Sequence, residues 1–318
     1  MSAIGLRVGP FEICEEAAVP GPDSWYRAER TGLSRRQPSH VLVRLLGPSP
    51  TSRELSSAQR HFDVLRSLDD RRFPKAVALY EGSGALAVEA VPGLPMSHIV
   101  EARLLGDVPM TPATVLDLAL EMTEAMAHAH GKGAHHGHLS AESVTLGVDG
   151  RVLVWGMGEF DGRPPFTWLA PELARGEQTS DQTDQWSLGA LIVAMVTGRS
   201  PWNATSASSA PAAGQIEEFV GPVARQWPAL GRLCRRMLDA NPQLRFPSLH
   251  PVRLELLGLA RRAGGSSDRR ALGAWLHRRD AEGRATPEMV SEAPSPAPAP
   301  PLAPPTVEPP AIQARVGA

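Results

Sequence analysis

Hydrophobic and polar positions change rhythm once along this chain, near residue 100. Before that point the apolar runs are short and bounded by turn residues. Val41-Leu42-Val43-Arg44-Leu45-Leu46 is followed by Gly47-Pro48, and residues 85–91 follow Glu81-Gly82-Ser83-Gly84. Both read as strands. Between them Leu55, Ala58, Phe62, Leu65 and Leu68 recur at helical spacing, which predicts a helix over 54–68. From Thr111 onward the period is helical. Thr111 suits an N-cap and Pro112 the first helical position. Leu118, Met122, Ala125, Met126 and Ala129 then share a face, with Gly131 as a stop. Residues 143–147 and 152–155 flank Asp149-Gly150 as a hairpin would. Residues 184–196 are apolar almost all round and end at Gly198, which predicts a helix inside a large domain. Further helices are expected over 230–240 and 251–263. Residues 266–290 leave room for a short amphipathic helix around Leu272 to Leu276.

This order predicts an α+β fold of two lobes, strand-rich first and helical second. The folded domain is expected over 11–265, with the lobes at about 11–92 and 93–265. Residues 266–318 are expected to be linker and tail. Nine prolines between Pro294 and Pro310 favour extended, polyproline-like chain that buries no core. A proline-rich ligand for an aromatic-lined groove is one use of such a tail, and a spacer is the plainer one.

Composition narrows the function classes. Of 318 residues, 42% are hydrophobic and 21% charged, and the net charge is −2. No global field draws the chain to nucleic acid or anionic lipid. Cys14 and Cys234 are the only cysteines, so neither a disulfide framework nor a thiolate metal site is expected. The first ten residues lack the cationic and apolar blocks of a signal peptide. The apolar stretch 188–196 is too short to span a bilayer. The expectation is a soluble cytoplasmic protein with no nucleic-acid or membrane partner.

Four motifs then stand in order: Ala170-Pro171-Glu172, Asp184-Gln185-Trp186-Ser187-Leu188-Gly189, Thr197-Gly198-Arg199-Ser200-Pro201-Trp202, and Asn241-Pro242-Gln243-Leu244-Arg245. In sequence and spacing they resemble the A-P-E, D-x-W-S-L-G, T-G-x-x-P-F and D-P-x-x-R motifs of bacterial, eukaryotic-like Ser/Thr protein kinases. The resemblance implies the bilobal kinase fold. It also implies structural roles: Glu172 and Arg245 as a buried ion pair, and Asp184 as acceptor for backbone N–H groups near His136.

The same resemblance locates the catalytic positions, and there the residue types depart from the family. Phosphoryl transfer needs a glycine-rich loop over the phosphates, a strand lysine, a catalytic aspartate and two metal ligands. The loop region reads Ala17-Ala18-Val19-Pro20-Gly21-Pro22-Asp23-Ser24-Trp25-Tyr26. Two prolines flank its one glycine, removing donors and freedom. The lysine position holds Arg44, a larger planar cation, for which a water-facing place at a strand edge is the plainer alternative. The partner glutamate falls near His61 or Asp63. The catalytic loop reads His136-Gly137-His138-Leu139-Ser140-Ala141-Glu142-Ser143. It puts His138 at the base, Ser140 at the loop lysine and Ser143 at the first metal ligand. The second metal ligand, the D-F-G aspartate, is replaced by Trp155, and an indole offers magnesium no hard oxygen. Asp161 lies too far along to substitute, and Thr167 is the one hydroxyl in the short segment before Ala170.

His128, His130, His135, His136 and His138 crowd together, but His128 and His130 point to different helix faces. No metal site is expected. The resulting expectation is a catalytically inactive kinase-like domain, a pseudokinase, that binds a protein partner such as another kinase or signalling protein. A weak or atypical Ser/Thr kinase using His138 and Arg44 is one alternative. A metal-independent nucleotide sensor is the other. No cofactor is expected beyond weak, magnesium-free ATP binding through Arg44.

Overall fold

The computed structural model describes residues 3–17, 25–31, 38–46, 50–158, 168–201, 211–264 and 267–285. The first lobe is one antiparallel sheet of β1 (Arg7–Val8), β2 (Phe11–Ala17), β3 (Trp25–Arg30), β4 (His40–Leu45), β5 (Ala76–Tyr80) and β6 (Ala85–Glu89). Their spatial order is β1-β2-β3-β4-β6-β5. The two strands legible in the sequence, β4 and β6, are its inner neighbours, with Val43 opposite Ala87 and Arg44 opposite Leu86. Side chains alternate across a strand. Val41, Val43, Ala85 and Ala87 therefore join Phe11 and Ile13 in a small core on one face. Leu42, Leu86 and Val88 join the main core on the other. Burial on both faces is why these two strands read as continuous apolar runs.

Helix α1 (Ser52–Leu68) crosses the second face. It begins two residues before the predicted start because Thr51 and Glu54 form a capping box. The Glu54 N–H donates to Thr51 Oγ1 at 3.2 Å, and the Thr51 N–H donates to Glu54 Oε2 at 2.7 Å.

At Gly93 the chain enters a second sheet, β7 (Gly93–Pro95), β8 (Val144–Gly147) and β9 (Val152–Val154). The predicted hairpin is β8–β9, turned by Gly150 at φ +81°. The helical lobe comprises α2 (Met96–Leu104), α3 (Pro112–Gly131), α4 (Pro171–Ala174), α5 (Asp181–Thr197), α6 (Ala213–Gln226), α7 (Pro228–Met237), α8 (Leu249–Ala263) and α9 (Arg269–Ala285). Thr111 caps α3 as expected. The left-handed residue after α3 is Gly133, at φ +72°, rather than Gly131. Helix α5 is buried on nearly every face. A β-carbon on its Gly189 would lie 2.9 Å from Met237 Cβ, so α7 packs directly on its backbone.

The packed body runs past the expected boundary at 265. Leu272, Trp275 and Leu276 of α9 are buried in the main core, and Arg269 pairs with Asp117 and Glu121 on α3. The helix foreseen around Leu272 to Leu276 is thus a structural part of the second lobe. The proline-rich stretch lies outside the described residues. Among the described residues no helix is long and apolar enough to cross a membrane.

Candidate functional site in the cleft between the lobes

Arg44 does not face water at a strand edge. It lies on the inner strand β4, only 7% exposed, flanked in register by Trp25 on β3 and Leu86 on β6. Helix α1 settles the choice left between His61 and Asp63: His61 is buried and Asp63 exposed. The inward residue at this level is therefore an imidazole, not a carboxylate. His61 also borders the loop that follows β9. Gly158 there has φ +80°, and a β-carbon on it would stand 3.2 Å from Val64 Cγ2 and 3.6 Å from His61 Cα. Only glycine takes that backbone shape without strain while α1 sits this close.

The loop 136–143 is held by the buried carboxylate of Asp184 on α5. Asp184 accepts the backbone N–H groups of His136 (2.8 Å) and Gly137 (2.7 Å). It also accepts Nε2–H of His130 at 2.9 Å. Burial alone pushes this carboxyl upward. The His130 hydrogen bond, the charges of His136 and His130 and the His136 N–H outweigh it, so its pKa is lowered from the ordinary value. His136 donates Nε2–H to the carbonyl of Trp155 at 2.7 Å, which ties the loop to the residue after β9. His138 is half-buried, 4.3 Å edge-on from the His136 ring. Its Nδ1–H donates to the His136 carbonyl at 3.1 Å.

Ser140 and Ser143 are turned toward each other. The Ser140 N–H donates to Ser143 Oγ at 2.8 Å, the Ser143 N–H donates to Ser140 Oγ at 3.2 Å, and Ser143 Oγ–H donates to the Ser140 carbonyl at 3.1 Å. The two hydroxyls close a local turn rather than project into the cleft. Glu142 is the one carboxylate in this loop. Its Oε2 is buried and meets no hydrogen-bond donor among the described residues.

Trp155 fills the remaining corner. It is 5% exposed, and its Nε1–H donates to Thr145 Oγ1 at 2.9 Å. Its ring meets Trp25, 3% exposed, in an edge-to-face contact with centroids 6.2 Å apart. Such a pair contributes about 0.5–1.5 kcal/mol beyond area burial. One apolar cluster thus runs from Trp25 and Leu86 in the first lobe through Trp155 into the helical lobe.

Far from the cleft, Arg245 donates Nη1–H and Nη2–H to Glu172 Oε1 and Oε2 at 2.7 and 2.8 Å. The same guanidinium donates to the carbonyls of Gln182 and Asp239 and lies over the Trp186 ring at 4.9 Å. Both members of the pair are buried, and both carboxylate oxygens of Glu172 are bonded.

Comparison with solved structures shows which fold carries this arrangement. The kinase domain of PknI from Mycobacterium tuberculosis superposes with a TM-score of 0.64 at 19% identity, covering 81% of this chain and 99% of that one. The chain has the protein-kinase fold. The Protein kinase domain family model matches residues 159–294, a stretch that begins after Trp155. Among relatives, the serine/threonine-protein kinase PksC of Streptomyces coelicolor is 27% identical, over 55% of this chain and 34% of its own length. An Aurora kinase of Schizosaccharomyces pombe is 28% identical, over 61% and 54%. The serine/threonine-protein kinase pkn3 of Myxococcus xanthus is 26% identical, over 60% and 39%. The chain therefore spans between about a third and about half of these relatives' length.

In a kinase fold the cleft just described is where magnesium and nucleotide belong. The residues present do not fit the metal. At the positions expected for its ligands, Trp155 offers an indole bonded to Thr145 and Ser143 a hydroxyl bonded within its own loop. Among the described residues no group of three or more His, Cys, Asp or Glu could hold a metal ion. The histidines serve structural contacts: His128 bonds the Leu68 carbonyl, His130 bonds Asp184 and lies 3.3 Å from Asp181, and His135 bonds the same Asp181 oxygen. Pro20, Pro22, Asp23, Asp161, Thr167 and Trp202 lie outside the described residues. The sequence reading did not single out Trp25 and Thr145, the partners of Trp155. A tryptophan eight residues after the loop begins was their only trace.

Proposed function

We propose that this chain is a pseudokinase: a kinase-fold module that acts by binding a signalling protein, not by transferring phosphate. The observation that carries the reading is Trp155. Its indole occupies the position of the magnesium-binding aspartate, is fixed by Thr145 and packs against Trp25 across the cleft. It takes up volume that phosphate and metal need and replaces charge with apolar surface. His61 at the buried position of α1 supports the same reading, since the ion pair that holds the strand lysine in active kinases needs a carboxylate there. The ligand that goes with the fold is ATP. Here any ATP would be held by Arg44 and by adenine packing, and magnesium would add nothing.

Calorimetry with ATP, with and without magnesium, is the direct test. Weak or absent binding is expected, unaffected by the metal and lost in Arg44→Ala. Magnesium-dependent binding in the micromolar range would overturn the reading. A second reading, residual phosphotransfer with His138 as base, is favoured by the half-buried place of His138 in the loop 136–143, where an imidazole can act as a general base. Labelled-phosphate incorporation with magnesium or manganese that disappears in His138→Ala would establish it. No incorporation is expected.

A further inference from the structure

Helix α9 carries positive charge that the cleft does not use. Two of its arginines are committed. Arg269 Nε lies 2.6 Å from Asp117 Oδ2 and Nη2 lies 2.8 Å from Glu121 Oε2, and it also bonds the Gly150 carbonyl. Arg279 bonds Asp107 and lies over Trp275. Arg270, His277 and Arg278 are exposed, and none of them meets a carboxylate among the described residues. They stand at i, i+7 and i+8, which places them on one helix face. Between them, at i+3 and i+4, are Gly273 and Ala274. These small residues leave a groove of about 660 Å³ between α9 and the β8–β9 turn at Val148 and Asp149. Its floor is tight, since a β-carbon on Gly273 would come 3.2 Å from the Val148 carbonyl. Asp149, on the far wall, is already engaged by Arg151 through an ion pair of 3.1 Å and a backbone N–H.

We propose that this groove docks an extended acidic peptide segment of a partner protein. The chemistry is complementary: two exposed guanidiniums that meet no carboxylate among the described residues, and an imidazole, rim a floor made by Val148, Gly273 and Ala274. Arg270 and Arg278 are eight residues apart, about 12 Å along a helix. Two carboxylates four residues apart on one face of an extended chain span about 13 Å. The segment therefore carries acidic side chains at i and i+4, with small residues between them over Gly273 and Ala274. Nucleic acid fits less well. A phosphate backbone needs a longer track of cations than two arginines and a histidine, and the net charge of −2 supplies no wider field. The groove lies at the turn of the β8–β9 hairpin, and Ser143 and Trp155 lie at its opposite, open end. The proposal deepens the binding-module reading, on which it rests for the nature of the partner but not for the state of the cleft.

The test is fluorescence anisotropy on the full chain with a labelled peptide that repeats Glu at every fourth position between Ala and Ser, against a counterpart with Lys for Glu. The acidic peptide should bind saturably and release with salt. Arg270→Glu with Arg278→Glu should weaken it about tenfold or more. Arg261→Glu with Arg262→Glu, exposed arginines at the end of α8, should change it less than about twofold. All four substitutions are at exposed positions, and unchanged thermal melts confirm that the variants fold. Failure to bind the acidic peptide, equal binding of the Lys peptide, indifference to the Arg270/Arg278 reversal, or tighter binding of a single-stranded oligonucleotide would each overturn the proposal. Peptide binding by a protein that also turns over ATP would leave the groove standing and overturn the pseudokinase reading instead.

Discussion

The far end of the helical lobe and the cleft treat charge in opposite ways. At the far end, Glu172 and Arg245 are buried face to face and satisfy each other with two hydrogen bonds. At the cleft, the positions expected to carry the catalytic base and the metal ligands hold His138, Ser143 and Trp155. The difference follows from who neutralises each charge. A structural charge is paired within the chain, and losing one member strands the other in the interior. A ligand-binding carboxylate is paired only by metal and phosphate, so its replacement by an apolar side chain strands nothing and can add packing. At the cleft, Trp25, Leu86 and Trp155 belong to the same buried cluster as the core of the helical lobe.

The comparison breaks first at the ion pair. Glu172→Ala and Arg245→Ala should each cost about 3–5 kcal/mol. The double mutant should cost less than their sum. Denaturant titration checks this, and additive losses would show that the pair is not a unit. The cleft should answer as core does, not as active site. Trp155→Ala removes a buried indole and should cost about 3 kcal/mol, with no gain in magnesium-dependent ATP binding. A neutral or stabilising effect would mean that the indole is not structural.

Asp184 sits between these extremes, a buried carboxylate that organises the catalytic-type loop. Its pKa is lowered, so the fold prefers its ionised form. The stability it contributes is complete above the ordinary carboxyl value of 3.8 and is lost as pH falls beneath that value toward the folded one. Asp184→Asn should cost about 1–3 kcal/mol at neutral pH and flatten the acid limb of the stability curve. An unchanged acid limb would remove Asp184 as its source. The smallest effect is a labelling contrast. Cys14 is exposed, and Cys234 is buried with its thiol pushed up to about 12. A thiol reagent should modify one cysteine in the native protein and the second only on unfolding. Rapid modification of both would contradict the packing of α7.

Elements with strong local signals were legible in advance. Helix α3 has its cap and first proline, α5 its unbroken apolar surface, and β4 and β6 their two buried faces. Strands β2 and β3 were not individually legible, because Glu12, Glu15 and Glu16 on β2 and Arg27 and Glu29 on β3 interrupt the alternation. Helix α6 was missed because Gly214, Gly221 and Pro222 weaken its local propensity. Helix α9 was read too short and assigned to a linker. Its arginine-rich sequence looks solvated until Asp117, Glu121 and Asp107 are brought to meet it from distant parts of the chain.

The sequence by itself determined the order of lobes, the four motifs of the helical lobe and the residue types at the catalytic positions, because each is local or depends on spacing along one stretch. Only the tertiary structure decided what those residues do. It chose His61 over Asp63, buried Arg44 in an inner strand and turned Ser140 and Ser143 toward each other. It also brought Trp25 against Trp155 across 130 positions of chain. Such choices depend on burial and on which distant side chain supplies a partner. Periodicity along the chain records which face is apolar, not what that face will meet.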